Sequence, residues 1–189
     1  MTHPFMSAVA DGLSKRNIAT LRYQFPYMEH GSKRPDQPAL AQATVRAAVT
    51  AANELMPALP LFAGGKSFGG RMTSQAQAAK PLPGVRGLVF FGFPLHPAGK
   101  PSNERARHLS LTGVPMLFIQ GTRDALADTG LLQSTIVSLG GTATLVLIDG
   151  ADHSLHVAAR SGVPDAKVLA QALDAVAAWI GRQAGGAAS

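Results

Sequence analysis

Residues 61–72 read LFAGGKSFGGRM, and the rest of the chain is organised around this stretch. Its first residues form an apolar run that is typical of a short strand, and its last residues are typical of the first turn of a helix. Between them, residues 65–69 match G-x-S-x-G, in which a serine lies on a tight strand-to-helix turn. Glycines suit that turn because the chain passes too close to itself for side chains. The stretch predicts that the Ser67 hydroxyl projects above the sheet edge and that the N–H of Phe68 can face an oxyanion.

Two other patterns compete with this interpretation. Residues 65–67 read GKS, which resembles the end of the phosphate-binding loop G-x-x-x-x-G-K-[ST], but that motif requires a glycine where the chain has Pro60. The simpler alternative is a glycine-rich turn in which Ser67 only caps the helix. A lone G-x-S-x-G does not separate these possibilities. The assignment therefore depends on an acid and a histidine at matching places.

An aspartate and a histidine follow two further apolar runs. Residues 114–121 (VPMLFIQG) precede Asp124, and residues 143–148 (ATLVLI) precede His153. Ser, Asp, His is the chain order of α/β-hydrolases, and each member follows the carboxyl end of a predicted strand. We therefore predict Ser67 as the nucleophile, Asp124 as the acid and His153 as the base. Asp152 is the alternative acid, and a turn aspartate with a surface histidine is the non-catalytic alternative.

Composition and charge limit the classes of protein to which the chain can belong. At 189 residues, 46% hydrophobic and 15% charged, the chain is expected to form a single domain over residues 1–189. It has no cysteine, no apolar run long enough to cross a bilayer and no apolar leader, so we expect a cytoplasmic protein without a membrane partner. The net charge of +6 comes from scattered residues without aromatic interleaving, so no nucleic-acid partner is predicted.

Strands and helices alternate along the chain, which predicts an α/β fold: a doubly wound, mainly parallel sheet with helices on both faces. About five strands are expected. They cover residues 18–25 and 85–92, the run before Ser67, and the runs that precede Asp124 and His153. Helices are predicted over residues 4–16, 38–56, 68–80, 103–108 and 129–139, with a final helix whose apolar face includes Leu169, Leu173, Val176 and Ile180. Residues 181–189 are predicted to form a frayed tail.

Six segments together carry a resemblance to a known family. They are HPFM at 3–6, FPYME at 25–29, GGKSFGGR at 64–71, GFPLHP at 92–97 with GKP at 99–101, QGTRD at 120–124 and GADHS at 150–154. The chain resembles bacterial α/β-hydrolases of the dienelactone-hydrolase-like group, in the branch related to the testis-expressed-30 and KAT8-regulatory-complex-subunit-3 proteins. The resemblance covers nearly the whole chain. It implies a serine hydrolase fold with Ser67, Asp124 and His153 as the catalytic residues, and it implies no particular substrate.

The resemblance also marks one departure. Relatives carry, before the segment that matches residues 3–6, a strand ending in a His-Gly-Ala-Gly-type turn, which supplies one of two oxyanion N–H donors. Since the sequence begins at Met1, we expect an N-terminally truncated sheet with a gap between the strand at 18–25 and the strand before Ser67. Three alternatives stay open: an upstream start, closure of the remaining strands, or a second copy of the chain, as in a homodimer, that fills the gap.

Residues after the strand ends are predicted to contact the substrate. Tyr27, Met28, Phe93 and His96 are the candidates of this kind, and Lys66, which flanks the nucleophile, is the fifth candidate. Core packing is the alternative for Tyr27 and Phe93, and a solvated or ion-paired role is the alternative for Lys66. The connections are short and leave no dedicated lid, so a small ester-like substrate is expected. No histidines have the spacing of metal ligands, so we predict neither a metal nor a cofactor. A non-catalytic scaffold is the competing function, because a fold alone does not establish activity.

Overall fold

A parallel sheet of four strands lies at the centre of the computed structural model, which describes residues 3–185. The strands are β1 (Leu61–Lys66), β2 (Val85–Phe91), β3 (Met116–Gly121) and β4 (Ala143–Ile148). They lie side by side in the order β1-β2-β3-β4, and each runs parallel to its neighbour. All four carboxyl ends therefore meet at one edge of the sheet, where the loops carrying polar residues also meet.

Helices connect the strands and cover both faces of the sheet. The α-helices are α1 (Pro4–Ser14), α2 (Pro26–Glu29), α3 (Pro38–Leu55), α4 (Phe68–Ala79), α5 (Thr129–Ser138) and α6 (Asp165–Gly185). Short 3₁₀ helices span Glu104–Leu111, Gly140–Thr142 and Ala159–Ser161. Each of the first three helices begins with a proline, whose fixed φ suits the first helical turn and whose missing N–H is not needed there.

The central strands are buried on both faces, as expected for a parallel sheet between helical layers. In β2, Leu88 and Phe90 belong to a core shared with α3, α4 and α5, whereas Val89 and Phe91 belong to a second core shared with α1 and α6. This alternation follows from the two-residue period of a strand. The predicted fold class, a doubly wound α/β sheet with helices on both faces, is confirmed.

The predicted strand at residues 18–25 is wrong. This segment has no regular secondary structure, so the described residues form four strands instead of about five. A largely apolar cavity of about 560 Å³ lies between residues 17–23, β1, α1 and α3. The apolar composition that predicted a strand serves another purpose here. Tyr23 packs edge-on against Phe25, which is buried and packs in turn against the ring of Phe68. Aromatic packing, and not a hydrogen-bonded ladder, holds the end of the segment.

The C-terminal helix is longer than the sequence pattern predicts. It continues to Gly185, so the expected frayed tail at residues 181–189 is wrong for its first five residues, and residues 186–189 lie outside the described part of the chain. Trp179, which is 1% exposed, anchors this helix by packing edge-on against Phe62. Within residues 3–185, no helix combines the length and the hydropathy that a membrane crossing requires.

Candidate active site

Ser67 lies directly between β1 and α4, on the turn that the G-x-S-x-G pattern predicts. Its φ of +49° and ψ of −118° are unusual for a residue with a side chain. The turn is held by main-chain bonds, since Ser67 N donates to the Phe91 carbonyl at 3.1 Å and Arg71 N donates to the Ser67 carbonyl at 3.1 Å. Strain of this kind persists only where its surroundings over-determine the backbone.

The turn also requires glycines that lie outside the G-x-S-x-G motif. A Cβ at Gly64 would lie 2.0 Å from the Val89 carbonyl oxygen, and one at Gly70 would lie 2.7 Å from the Gly65 carbonyl oxygen. A Cβ at Gly69 would meet nothing closer than 3.6 Å, which is an ordinary contact. Close packing of β1 against β2 and α4 therefore requires Gly64 and Gly70, whereas the space around Gly69 would accept a methyl group.

The structure brings Ser67, His153 and Asp124 together from three strand ends. His153 Nε2 lies 2.8 Å from Ser67 Oγ, and His153 Nδ1 lies 2.7 Å from Asp124 Oδ2. The Asp124 side chain is fully buried, whereas 23% of the His153 side chain is exposed. An ionised carboxylate only accepts hydrogen bonds, so Nδ1 donates to Asp124 and the lone pair of Nε2 faces the serine hydroxyl.

The carboxylate of Asp124 accepts hydrogen bonds at both oxygens. Leu126 N donates to Oδ1 at 2.7 Å, and Gln120 Nε2 donates to Oδ2 beside the contact from His153. These donors replace the water that the buried carboxylate has lost. From the sequence, Gln120 is noted only as part of the QGTRD segment, and no role is predicted for it. A glutamine near the end of an otherwise apolar buried strand is the signal that could have identified it.

Asp152, the alternative acid, is not the hydrogen-bond partner of His153. Its Oδ1 accepts from Ser154 N at 2.7 Å and from His156 N at 3.0 Å, so it caps the loop that carries His153. Further along that loop, His156 pairs with Asp165 at 2.8 Å on the surface. A hydrogen bond and the charge of Asp165 raise the pKa of His156.

Lys66, which precedes the serine, ties the turn to the histidine loop. Its Nζ lies 3.3 Å from Ser154 Oγ and 4.5 Å from the centre of the Phe5 ring. Burial lowers the pKa of Lys66, and the nearby carboxylates of Asp152 and Asp124 oppose that shift. The ammonium thus lies on the same side of the molecule as the carboxylate–histidine pair.

Tyr27 and Met28 lie on α2, beside the first residue of α4. Tyr27 is half-buried and its ring packs edge-on against Phe68 at 6.1 Å, while its N–H donates to Asp36. Burial, with the charge of Asp36, raises the pKa of the Tyr27 phenol. Met28 is 38% exposed. Tyr27 therefore borders Phe68, whose N–H is the first of helix α4 and has no acceptor within the helix.

The prediction that the side chains of Phe93 and His96 contact the substrate is wrong. Phe93 is 1% exposed and packs against the rings of Phe90 and Phe118. His96 is 3% exposed; its Nε2 accepts from Asp128 N at 2.7 Å and its Nδ1 lies 2.8 Å from its neighbour's carbonyl oxygen. Position after a strand end suggested both residues, but the chain turns inward here, so they stabilise the core and the loop after β3.

A second serine–histidine pair lies away from these residues. Ser74 Oγ lies 2.8 Å from His108 Nε2, and Ser74 has no exposed surface. Burial and then the positive charge of Arg71 lower the pKa of His108 to about 4. No carboxylate among the described side chains is bonded to this histidine. The pair therefore links α4 to the 3₁₀ helix that follows β2, and it differs from the three-residue arrangement at Ser67.

The described side chains also include no group of three or more metal-ligating residues. Ser67, Asp124 and His153 instead form a hydrogen-bonded chain whose donor and acceptor pattern suits proton transfer from a hydroxyl. Close contact between the three residues comes from the parallel sheet, which brings three strand ends to one edge.

Comparisons with known proteins agree with this fold. A family model described as an alpha/beta hydrolase domain matches residues 1–181. Among solved structures, the chain is similar to an α/β serine hydrolase homologue from Coxiella burnetii, with 17% identity, a TM-score of 0.71 and coverage of 92% of this chain and 76% of that one. It is also similar to an α/β serine hydrolase without a lid from Xanthomonas campestris, with 21% identity, a TM-score of 0.70 and coverage of 98% and 76%.

A third similar structure is Est1E from Butyrivibrio proteoclasticus bound to ferulic acid, with 16% identity, a TM-score of 0.71 and coverage of 96% of this chain and 84% of that one. Sequence identities this low support a similarity of fold and no more specific conclusion. The family match spans nearly the whole chain, and the protein is a member of the alpha/beta hydrolase family.

Proposed function

We propose that this protein is a serine hydrolase that cleaves a small ester or a related acyl substrate through an acyl-enzyme. The observation that carries the proposal is the unbroken hydrogen-bonded chain from Ser67 Oγ through both nitrogens of His153 to Asp124 Oδ2, with distances of 2.8 and 2.7 Å. In this proposal Ser67 is the nucleophile, His153 the general base and Asp124 the residue that orients and stabilises the imidazolium.

The proposed reaction begins when Ser67 Oγ attacks the substrate carbonyl carbon while His153 Nε2 takes the hydroxyl proton. The C–O bond to the leaving group then breaks, and the imidazolium returns the proton to the leaving oxygen. Water repeats the sequence on the acyl-enzyme, again with His153 as base, and releases the acid and the free serine. Asp124 stays ionised throughout, because its role is to hold the Nδ1 proton and not to receive it.

The N–H of Phe68 is the proposed donor to the tetrahedral oxyanion. It opens α4, so the positive end of the helix dipole adds to its effect. Each such donor is worth about 10²–10³ in turnover. Any further donor near the serine would therefore change the rate strongly without changing the assignment of Ser67.

Tyr27, Met28 and Lys66 remain the proposed substrate contacts. Support comes from the packing of Tyr27 against Phe68, from the exposed position of Met28 next to Tyr27 on α2, and from the contact between Lys66 and the loop of His153. Two similar structures bear on the substrate class: one is described as lacking a lid, and another binds ferulic acid, a small aromatic acid. The six sequence segments quoted above support membership of the dienelactone-hydrolase-like branch, and we propose that finer placement together with the small-ester substrate.

Labelling with a fluorophosphonate probe tests the proposal. The wild-type chain should be labelled and Ser67→Ala should not, because only an activated serine attacks this phosphorus centre. Ser74→Ala is the matched control: it removes a second serine that is hydrogen-bonded to a histidine, and it should label at the wild-type rate. Absence of labelling in a folded wild-type chain would contradict the hydrolase and favour a non-catalytic scaffold.

A further inference from the structure

Gln120 makes two buried hydrogen bonds that join the loop after β2 to the acid after β3. Its side chain is 1% exposed and lies near the carboxyl end of β3. Oε1 accepts from Phe93 N at 2.9 Å, and Nε2 donates to Asp124 Oδ2. No other side chain described for this protein bonds to both the carboxylate of Asp124 and the adjacent β2 loop.

The orientation of this amide follows from the chemistry of its neighbours. A backbone N–H only donates, so the contact with Phe93 N must be made by the amide oxygen of Gln120. The NH₂ group then faces Asp124, which as a carboxylate only accepts. Phe93 cannot move to relax this arrangement, because its ring is buried between Phe90 and Phe118 at centroid distances of 5.3 and 5.7 Å. Packing in the core therefore fixes the orientation of the Gln120 amide.

The consequence for Asp124 is that both of its oxygens are held. Oδ1 accepts from Leu126 N, and Oδ2 accepts from Gln120 and from His153. Rotation of the carboxylate about its Cβ–Cγ bond would break the bond at each oxygen. Since the side chain is fully buried, no water takes the place of a lost donor.

We propose that Gln120 is a positioning residue: it sets the plane of the Asp124 carboxylate and thereby the orientation of His153 toward Ser67. This inference rests on the proposed function for its effect on rate. Gln120 is 1% exposed and its side chain bonds to Phe93 N and Asp124, so its effect should fall on the chemical step and not on substrate binding.

Gln77 provides a matched control within the same chain. It is also buried, and it also makes two hydrogen bonds, accepting from Leu82 N and donating to the Thr112 carbonyl, both at 2.8 Å. Both of its partners are backbone groups remote from His153. A glutamine-to-methionine change at either position therefore removes the same number of buried hydrogen bonds, but only the change at Gln120 removes one from Asp124.

The experiment compares Gln120→Met, Gln120→Glu and Gln77→Met in the full chain with p-nitrophenyl acetate as the substrate. Gln120→Met should lower kcat about 10–100-fold and leave KM within about two-fold. Gln120→Glu retains an acceptor for Phe93 N but directs a second carboxylate at Asp124, so its kcat should fall at least as far. Gln77→Met should lower the thermal midpoint yet keep kcat within about two-fold of wild type.

A proton NMR measurement separates this inference from the proposed function. The Nδ1 proton of His153, hydrogen-bonded to a buried carboxylate, should give a downfield signal in wild type and in Gln77→Met, and it should be shifted or broadened in Gln120→Met. If the wild-type chain hydrolyses nothing, the proposed function fails, and this signal still decides the positioning role. An unchanged signal in Gln120→Met, or an equal loss of kcat in Gln120→Met and Gln77→Met, would overturn the inference.

Discussion

Replacing Asp124 by asparagine is the change that most directly tests the arrangement around His153. It alters one atom and removes one charge, and it should preserve the shape of the buried side chain. The carboxylate faces three donors: Leu126 N at one oxygen, and Gln120 and His153 at the other. An amide has only one oxygen, so one side of the substituted side chain must present NH₂ to a donor.

Either orientation of the amide harms catalysis. If its oxygen faces His153, the NH₂ group opposes Leu126 N and leaves a partly buried donor unpaired, at a cost of about 1–3 kcal/mol. If its NH₂ group faces His153, Nδ1 must become the acceptor, and Nε2 then carries the proton and cannot accept one from Ser67. Both orientations lose the negative charge that stabilises the imidazolium. We therefore expect turnover to fall by about 10³-fold, or ~4 kcal/mol of barrier.

The matched control is Asp152→Asn, one residue before the histidine. Asp152 uses a single oxygen to accept from Ser154 N and His156 N, and the oxygen of an asparagine can accept both bonds. Its turnover should stay within about three-fold of wild type. The assay is the initial rate of hydrolysis of p-nitrophenyl acetate, with circular dichroism to show that both variants are folded. A loss in Asp152→Asn as large as that in Asp124→Asn would refute the assignment of the acid.

The remaining predictions concern stability. Burial lowers the pKa of His108 from 6.5 to about 4, so between these values the unfolded chain binds a proton that the folded chain does not. The free energy of unfolding should therefore fall as the pH is lowered from 7 to 4, by about 1–2 kcal/mol after the ~3 kcal/mol implied by the difference of about 2.5 (6.5 minus 4) is discounted for partial exposure. Urea titrations at both pH values should show that His108→Gln loses this part of the pH dependence; an unchanged dependence would contradict the cause. Gly64→Ala should destabilise the protein by about 3 kcal/mol or more, because its Cβ would lie 2.0 Å from the Val89 carbonyl oxygen. Gly69→Ala, with no contact under 3.6 Å, should be neutral or stabilising by about 0.5–1 kcal/mol, and equal midpoints in urea for the two alanine variants would contradict the packing argument.

Patterns among residues that are close in sequence predicted most of the fold. The alternation of apolar runs with helical periodicity predicted β1 to β4 and the helices α1, α3, α4 and α5 within a few residues, since these patterns depend on residues that are close in sequence. The G-x-S-x-G motif placed Ser67 on its turn for the same reason. The short helix α2 was not predicted. Residues 18–25 show where this reasoning fails: apolar alternation indicates what a segment can bury, but a strand also needs a neighbouring edge, and the neighbour is set by the tertiary fold.

The sequence by itself determined the parallel α/β architecture and the order of Ser67, Asp124 and His153, because both depend on short-range pattern and on the position of each residue after a strand. Only the tertiary structure decided which residues meet. It separated Asp124 from Asp152 as the partner of His153, turned Phe93 and His96 into the interior, and placed Gln120 against the carboxylate. The physical reason is that a hydrogen bond is decided within a few tenths of an ångström by packing between elements distant in the chain, and that packing is not encoded by any single segment.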